Sequence, residues 1–339
     1  MIKVSYVSTT FKNNECFERD GKHNRDSFLD FLVNLKYSFY TKGYELDTDD
    51  ILKPSDANIS IHANIRSDFK ERLSKFNILI IFESEAILPE NFDLDNHKYF
   101  DVVLTWSDML LSLDPIKYQY INYSHNIKND EIRSIVNSDI SDRNRKVMIS
   151  GNKKCRYHNE LYSERERVVD WYLSEDKNDF DLYGIRWGLK LFEPNIFTNK
   201  LNSLNLKFGF LKRNLKVYKG SVNSKFEIYK KYKFAYCFEN AKDIDGYITE
   251  KIFDCMRCGI VPIYFGAESI RNYIPEGCYI SYTDFDGIQE LDSFLNNIGD
   301  DEYRGYQKSM KKFFESEGYY KFSSEYFSEK LISVVRGFS

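Results

Sequence analysis

Residues Tyr232 to Ala267 read YKFAYCFENAKDIDGYITEKIFDCMRCGIVPIYFGA. Phe234 to Phe238 is an apolar, aromatic run, short and sharply bounded, as a buried strand is. The polar loop Glu239 to Gly246 follows, with three carboxylates (Glu239, Asp243, Asp245) and a glycine. Ile248-Thr249-Glu250-Lys251 starts a helical pattern that runs to about Arg257, Gly259 stops it, and Ile260 to Phe265 is a second strand. Strand, loop, helix and strand in this order make a βαβ unit, whose crossover requires a parallel sheet.

In such sheets ligands gather at the carboxyl ends of the strands, and anions at helix N-termini. Glu250 and Lys251 stand at that corner. A lysine in the first helical turn opposes the macrodipole, so a bound anion would account for it. The plainer alternative is a solvated surface lysine.

A chain of 339 residues exceeds what one hydrophobic core usually serves, and 42% hydrophobic with 17% aromatic residues is enough for two. A formal net charge of -4 argues against a general nucleic-acid binder, which would be basic. Charge is nevertheless uneven: Lys200 to Lys233 holds ten basic residues and one acid, Glu227. That stretch suits a small phosphorylated ligand or, equally, a solvated face. Six cysteines lack framework spacing, and neither a signal peptide nor an 18-residue apolar run is found, so a reduced, cytoplasmic, non-spanning protein is expected. Cys255 and Cys258 form a CxxC with no second pair or nearby histidine, which reads as buried helix residues rather than zinc ligands.

Along the chain, Ile2 to Val7 reads as a strand and Arg25 to Tyr40 as an amphipathic helix stopped by Gly43. Strands are expected from Tyr44, at Ala57 to Ala63, Asn77 to Phe82, Val102 to Trp106 and Tyr118 to Tyr123, with a helix over Ser67 to Ser74. NILIIF, Asn77 to Phe82, is a continuous apolar run of the kind buried in parallel sheets. Glu83 and Glu85 follow its end, where an open sheet presents its ligands; either is a candidate general base if burial raises its pKa, and both are otherwise solvated loop acids. This α/β domain is expected to span residues 1–145.

Residues 146–339 make the second. Lys146 to Ser150 and Asp179 to Tyr183 read as strands, and Glu160 to Leu173 as a helix with Leu161, Val168, Val169 and Tyr172 on one face. Gly184 and Gly188 permit a tight turn. After Tyr279 to Tyr282 the chain is helical over Ile288 to Asn297, Asp300 to Ser316 and Ser323 to Val335.

FENAKDIDGYITEKIFD followed by GIVPIYFGA resembles the alpha-1,3/1,4-fucosyltransferases in the pattern F-E-N, loop, G-Y-[IV]-T-E-K, helix, P-I-Y-[WF]-G. Weaker matches extend the resemblance over most of residues 146–285; the first half matches faintly. The resemblance implies α/β architecture with two facing Rossmann-like domains of the GT-B glycosyltransferase type, the nucleotide in the second and the acceptor chiefly against the first. It implies an inverting transfer of L-fucose from GDP-fucose to a hydroxyl of a GlcNAc-containing oligosaccharide or glycolipid, in bacterial surface-polysaccharide synthesis such as lipopolysaccharide O-antigen. Lys251 would contact the diphosphate, Glu250 the ribose hydroxyls, and Tyr247 and Asn240 the phosphate–fucose region. Arg213 is the candidate for the family's diphosphate arginine, with Lys219 or Lys216 as substitutes. In the family the base is a glutamate in an E-x-E setting, which Glu83-Ser84-Glu85 fits, Glu83 better than Glu85. No essential metal is expected, since cations at the diphosphate can take that part. Nucleic acid is not an expected partner, and membrane contact is at most weak and peripheral. Departures are a slightly longer, more acidic loop after Asn240, and Ala241 in place of the usual serine. They leave open a different nucleotide-linked deoxysugar on the same fold, or a carbohydrate-binding module without catalysis.

Overall fold

The computed structural model describes residues 1–66, 69 and 71–338. Along the chain the elements are β1 (Ile2–Val7), α1 (Asp30–Thr41), β2 (Tyr44–Thr48), β3 (Ile59–Ala63), β4 (Phe76–Ile80), α2 (Leu94–His97), β5 (Val102–Thr105), α3 (Asp108–Leu111) and β6 (Tyr118–Tyr120). They continue with α4 (Asn129–Asn137), β7 (Asn144–Ile149), α5 (Tyr162–Ser174), β8 (Phe180–Tyr183), α6 (Ile196–Phe208), α7 (Lys225–Tyr229), β9 (Tyr232–Phe238), α8 (Glu250–Arg257) and β10 (Val261–Phe265). The last are β11 (Ile280–Ser281), α9 (Ile288–Asn297), α10 (Asp300–Phe314), α11 (Glu317–Tyr320) and α12 (Ser324–Arg336).

The chain forms two compact units. The first holds Met1–Ile127, Ile244–Glu250 and Ser316–Ser339; the second holds Lys128–Asp243 and Lys251–Glu315. The sequence reading draws its boundary at Arg145 and keeps all the C-terminal helices in the second domain. The difference has an apolar cause. Phe327, Leu331, Ile332, Val334 and Val335 of α12 share one core with Phe31, Leu32, Leu35 and Phe39 of α1, and the Phe31 and Phe327 rings meet edge-on at 4.9 Å. A helix with that stripe is stable only where a complementary apolar face exists, and here that face belongs to the first unit.

In the first unit six parallel strands lie in the order β2-β1-β3-β4-β5-β6. Ile78, Leu79 and Ile80 of β4 are fully buried, as a strand covered on both faces demands. The helix expected from Arg25 begins only at Asp30. Asp26 and Ser27 adopt left-handed φ of 56° and 59°, which no continuous helix tolerates, and the Asn24 carboxamide accepts the Leu29 N–H at 2.7 Å. Of the helix expected over Ser67 to Ser74, residues 67, 68 and 70 lie outside the described residues, and Glu71 to Ser74 are irregular.

The second unit has five parallel strands in the order β11-β10-β9-β7-β8. The βαβ unit read from Tyr232 to Ala267 is β9-α8-β10. Helix α6 overlaps the basic stretch and α7 lies inside it, where the lysines hide the apolar spacing. At the amino end of β7 the fully buried Lys146 ammonium bonds Asp179 at 2.6 Å and Asp292 at 2.5 Å. Asp292, itself 1% exposed, also accepts from Lys177 at 2.6 Å and from the Tyr172 hydroxyl at 2.8 Å. Each buried charge thus has partners, the condition under which such a network is tolerated. Cys255 and Cys258 are buried at the end of α8. No helix among the described residues is long and apolar enough to cross a membrane.

Candidate active site

In the second unit β7 comes first in sequence, β8 pairs on one side of it and β9 on the other. The chain therefore winds away in opposite directions from β7, and the carboxyl ends of β7 and β9 flank a topological switch point, the place where open parallel sheets bind ligands. Ser150-Gly151-Asn152 leaves β7 there. Gly184, just after β8, has φ +130°, and a Cβ on it would come within 1.8 Å of the Ser150 carbonyl oxygen. No other residue permits that approach, so the glycine noted in the sequence is required by the edge of the site.

Glu239 and Asn240 leave β9 on the other side. Arg165 of α5, 3% exposed, donates through Nη2 to the carbonyls of Phe238 and Glu239 at 2.8 and 2.7 Å and to Asn240 Oδ1 at 3.3 Å. The Asn240 carbonyl accepts from the Leu161 N–H at 3.0 Å. Asn240 is thereby held by both its backbone and its carboxamide. The arginine could have been found in the sequence: it falls on the face of α5 that carries Leu161, Val168, Val169 and Tyr172, where a charge needs a buried partner.

Lys251 lies in the first turn of α8, and its ammonium bonds Glu239 Oε2 at 2.9 Å. Glu239 is fully buried and the lysine side chain is 25% exposed. The charge that opposes the helix dipole thus has an anion within the fold. In the sequence Glu239 is legible only as a loop acid, and a bound ligand is the expected anion. Gly266, after β10, makes room for the pair, since a Cβ there would come within 2.6 Å of Glu239 Cγ. Next to it Lys242, Asp243, Tyr264, Gly266, Arg271 and Ser281 are among the residues lining a cavity of about 320 Å³.

The other cations expected at the diphosphate are paired with acids of the same unit. Arg213 bonds Glu166 at 2.6 Å and also Asp170, both on α5. Lys219 pairs with Asp181 at 3.2 Å, Lys216 with Asp176 at 2.9 Å, Lys225 with Asp254 and Lys233 with Asp300 at 2.9 Å. These partners give the basic stretch a structural use, matching acids on α5, β8, α8 and α10 and the turn after α5.

Residues Ile244–Glu250 group with the first unit, so Tyr247 and Glu250 are counted there and Lys251 in the second. Gly246 has φ +81°, and a Cβ on it would come within 2.1 Å of the Trp106 carbonyl oxygen. Tyr247, 1% exposed, packs on the Trp106 ring at 4.9 Å. Trp106 Nε1 in turn donates to the Phe82 carbonyl at 3.0 Å, which also accepts from the Tyr123 hydroxyl at 2.6 Å. The G-Y of the sequence pattern and the approach to Glu83 are therefore fastened to one tryptophan.

Glu83 follows β4 with its backbone held twice: its N–H donates to Asn64 Oδ1 at 3.0 Å and its carbonyl accepts from Asn91 Nδ2 at 3.0 Å. One carboxylate oxygen of Glu83 is shielded from solvent, and Ser84 is fully buried. Glu85 lies partly exposed in the following turn. Neither Asn64 nor Trp106 left a recognisable sequence signal.

Residues 197–334 match the sequence model of the glycosyltransferase family 10 (fucosyltransferase) C-terminal domain. Residues 197–334 form a domain of the glycosyltransferase family 10 type. Over 70 residues the chain is 39% identical to an alpha-(1,4)-fucosyltransferase of Arabidopsis thaliana, covering 21% of this chain and 17% of that one. Over 112 residues it is 32% identical to GDP-fucose protein O-fucosyltransferase 3 of Bos taurus, covering 33% and 21%. These matches span about a fifth of the relatives' length. A solved alpha1,3-fucosyltransferase with GDP-fucose superposes with a TM-score of 0.54 at 16% identity, covering 90% of this chain and 81% of that one. At that identity the likeness is one of fold, and the fold is that of the GT-B glycosyltransferases. The family 10 match runs from within α6 to within α12 and includes both Glu239 and Lys251, whereas Glu83 lies outside it.

Proposed function

We propose that this chain is a fucosyltransferase that uses GDP-fucose and forms an alpha-1,3 or alpha-1,4 linkage with inversion. The observation that carries the reading is Lys251: an ammonium in the first turn of α8, beside the switch point, in a segment matching the family 10 domain. A diphosphate there gains a point charge and a helix N-terminus. Asn240 and Tyr247 contact the phosphate–fucose region, Glu250 the ribose diol, and Arg213 or Lys219 supplies a second cation by exchanging its carboxylate for the diphosphate. The acceptor oxygen attacks C1 of fucose on the face opposite GDP, the C1–O bond to the β-phosphate breaks, and Glu83 takes the acceptor proton. Lys251 stabilises the charge that grows on the departing diphosphate, the part a metal plays in other transferases.

The acceptor in this reading is a GlcNAc-containing surface glycan. The similarity to a relative named protein O-fucosyltransferase favours a second reading, in which a polypeptide hydroxyl is the acceptor. Incubation with radiolabelled GDP-fucose, with EDTA present, and either GlcNAc oligosaccharides or folded polypeptides separates the two. Labelled oligosaccharide supports the first and labelled polypeptide the second; no transfer to either, with no binding of GDP-fucose, overturns both.

A further inference from the structure

We infer that Glu239 is a positioning residue whose negative charge, acting through Lys251, limits how tightly the site holds GDP. The inference rests on the proposed contact of Lys251 with the diphosphate. The structure contributes a fully buried carboxylate 2.9 Å from the Lys251 ammonium, anchored so that it cannot turn away. The Glu239 N–H donates to the Phe265 carbonyl at 2.8 Å, its own carbonyl accepts from Arg165 at 2.7 Å, and its Cγ fills the space left by Gly266.

A phosphate oxygen bonded to the same ammonium would have to compete with that carboxylate for its charge and its three donor hydrogens, in a site partly removed from water. The ammonium is thus shared between a permanent internal anion and a transient external one. Two consequences oppose each other. Without ligand, Glu239 holds the lysine in one arrangement and spares the fold an unpaired, largely buried cation. With ligand, it subtracts from the attraction the lysine exerts. The subtraction is larger for free GDP than for GDP-fucose, because the β-phosphate of the product carries the extra charge released when the C1–O bond breaks. A site built in this way discharges its product more readily than its donor.

Glu239→Gln keeps the shape beside Gly266 and removes only the charge. Calorimetric titration should give a GDP Kd about tenfold lower than in the native protein, with a smaller gain for GDP-fucose and a correspondingly lower inhibition constant for GDP in the transfer assay. In a Lys251→Ala background the same substitution should leave GDP affinity unchanged, which a merely structural role would not produce. Glu239→Asp retains the charge and should bind GDP about as the native protein does, which keeps the inference testable if the glutamine variant folds poorly. Weaker or unchanged GDP binding in Glu239→Gln, or an equal shift in both backgrounds, would overturn the inference. If Lys251→Ala alone leaves GDP affinity intact, the underlying assignment of Lys251 fails instead.

Discussion

Asn64 Oδ1 accepts the backbone N–H of Glu83 at 3.0 Å. The same oxygen accepts from Phe82 N–H at 2.9 Å and from Asn91 Nδ2 at 2.9 Å, and Asn64 itself sits at φ 64°. Asparagine tolerates that conformation better than most residues. One side chain thus sets the course of the chain from the end of β4 into the candidate base. Asn64→Ala should cost about 1–3 kcal/mol of stability by leaving these donors unmatched. Turnover of the variant should fall further than its stability loss explains, with GDP affinity unchanged, when kcat and calorimetric Kd are compared.

Gly246→Ala tests the other attachment to the same region. An alanine at φ +81° is strained, and its methyl meets the Trp106 carbonyl oxygen at 2.1 Å. The segment must move, at a cost of about 2–4 kcal/mol. Thermal unfolding would register this loss, and Tyr247 would leave the Trp106 ring, which tryptophan fluorescence would report.

The Lys146–Asp292 network predicts an acid sensitivity. Burial raises the proton affinity of the Asp292 carboxyl, but hydrogen bonds and charges from Lys146 and Lys177 outweigh it and hold the group below its usual value of 3.8. The stabilisation is therefore complete above about pH 4 and is lost as pH falls through the lower, folded value. Asp292→Ala, which leaves the buried Lys146 ammonium with Asp179 as its carboxylate partner, should cost about 3 kcal/mol by chemical denaturation near neutral pH.

His62 acts over a higher range. Burial, aided by the charge of Arg66, pushes its imidazole down to about 3 from 6.5. An unfolded chain binds this proton below pH 6.5 and the folded one does not, so stability should decline as pH falls from 6.5 toward 3. In His62→Gln, denaturation curves between pH 7 and pH 4 should show a shallower decline, by up to about 1.4 kcal/mol per pH unit. An unchanged slope would remove His62 as its source.

Much of this architecture was legible because it is local. The apolar runs at Ile2, Asn77, Phe234 and Ile260 and the glycine after α8 identify parallel strands and a crossover without any knowledge of what they pack against. The membership of α12 in the first unit was not legible, because its apolar stripe fits any core of the right shape. The site divides in the same way. Lys251, Asn240 and Gly246 lie in one continuous motif and could be named from it. Asn64 and Trp106 act on residues 19 and 24 positions away, through an N–H and a carbonyl. Backbone groups leave no trace in the letters. The Lys251–Glu239 pair lay between these cases: both residues were in view, and only the turn after β9 reveals that they meet.

In the proposed mechanism α8 presents Lys251 to the diphosphate of a guanosine nucleotide. Calorimetric titration of GDP and of UDP into the native protein and into Lys251→Ala tests it most directly. GDP should bind and UDP should do so much more weakly, with GDP affinity falling about tenfold or more in the variant. Equal binding of both nucleotides, or GDP affinity that survives the loss of Lys251, would contradict it.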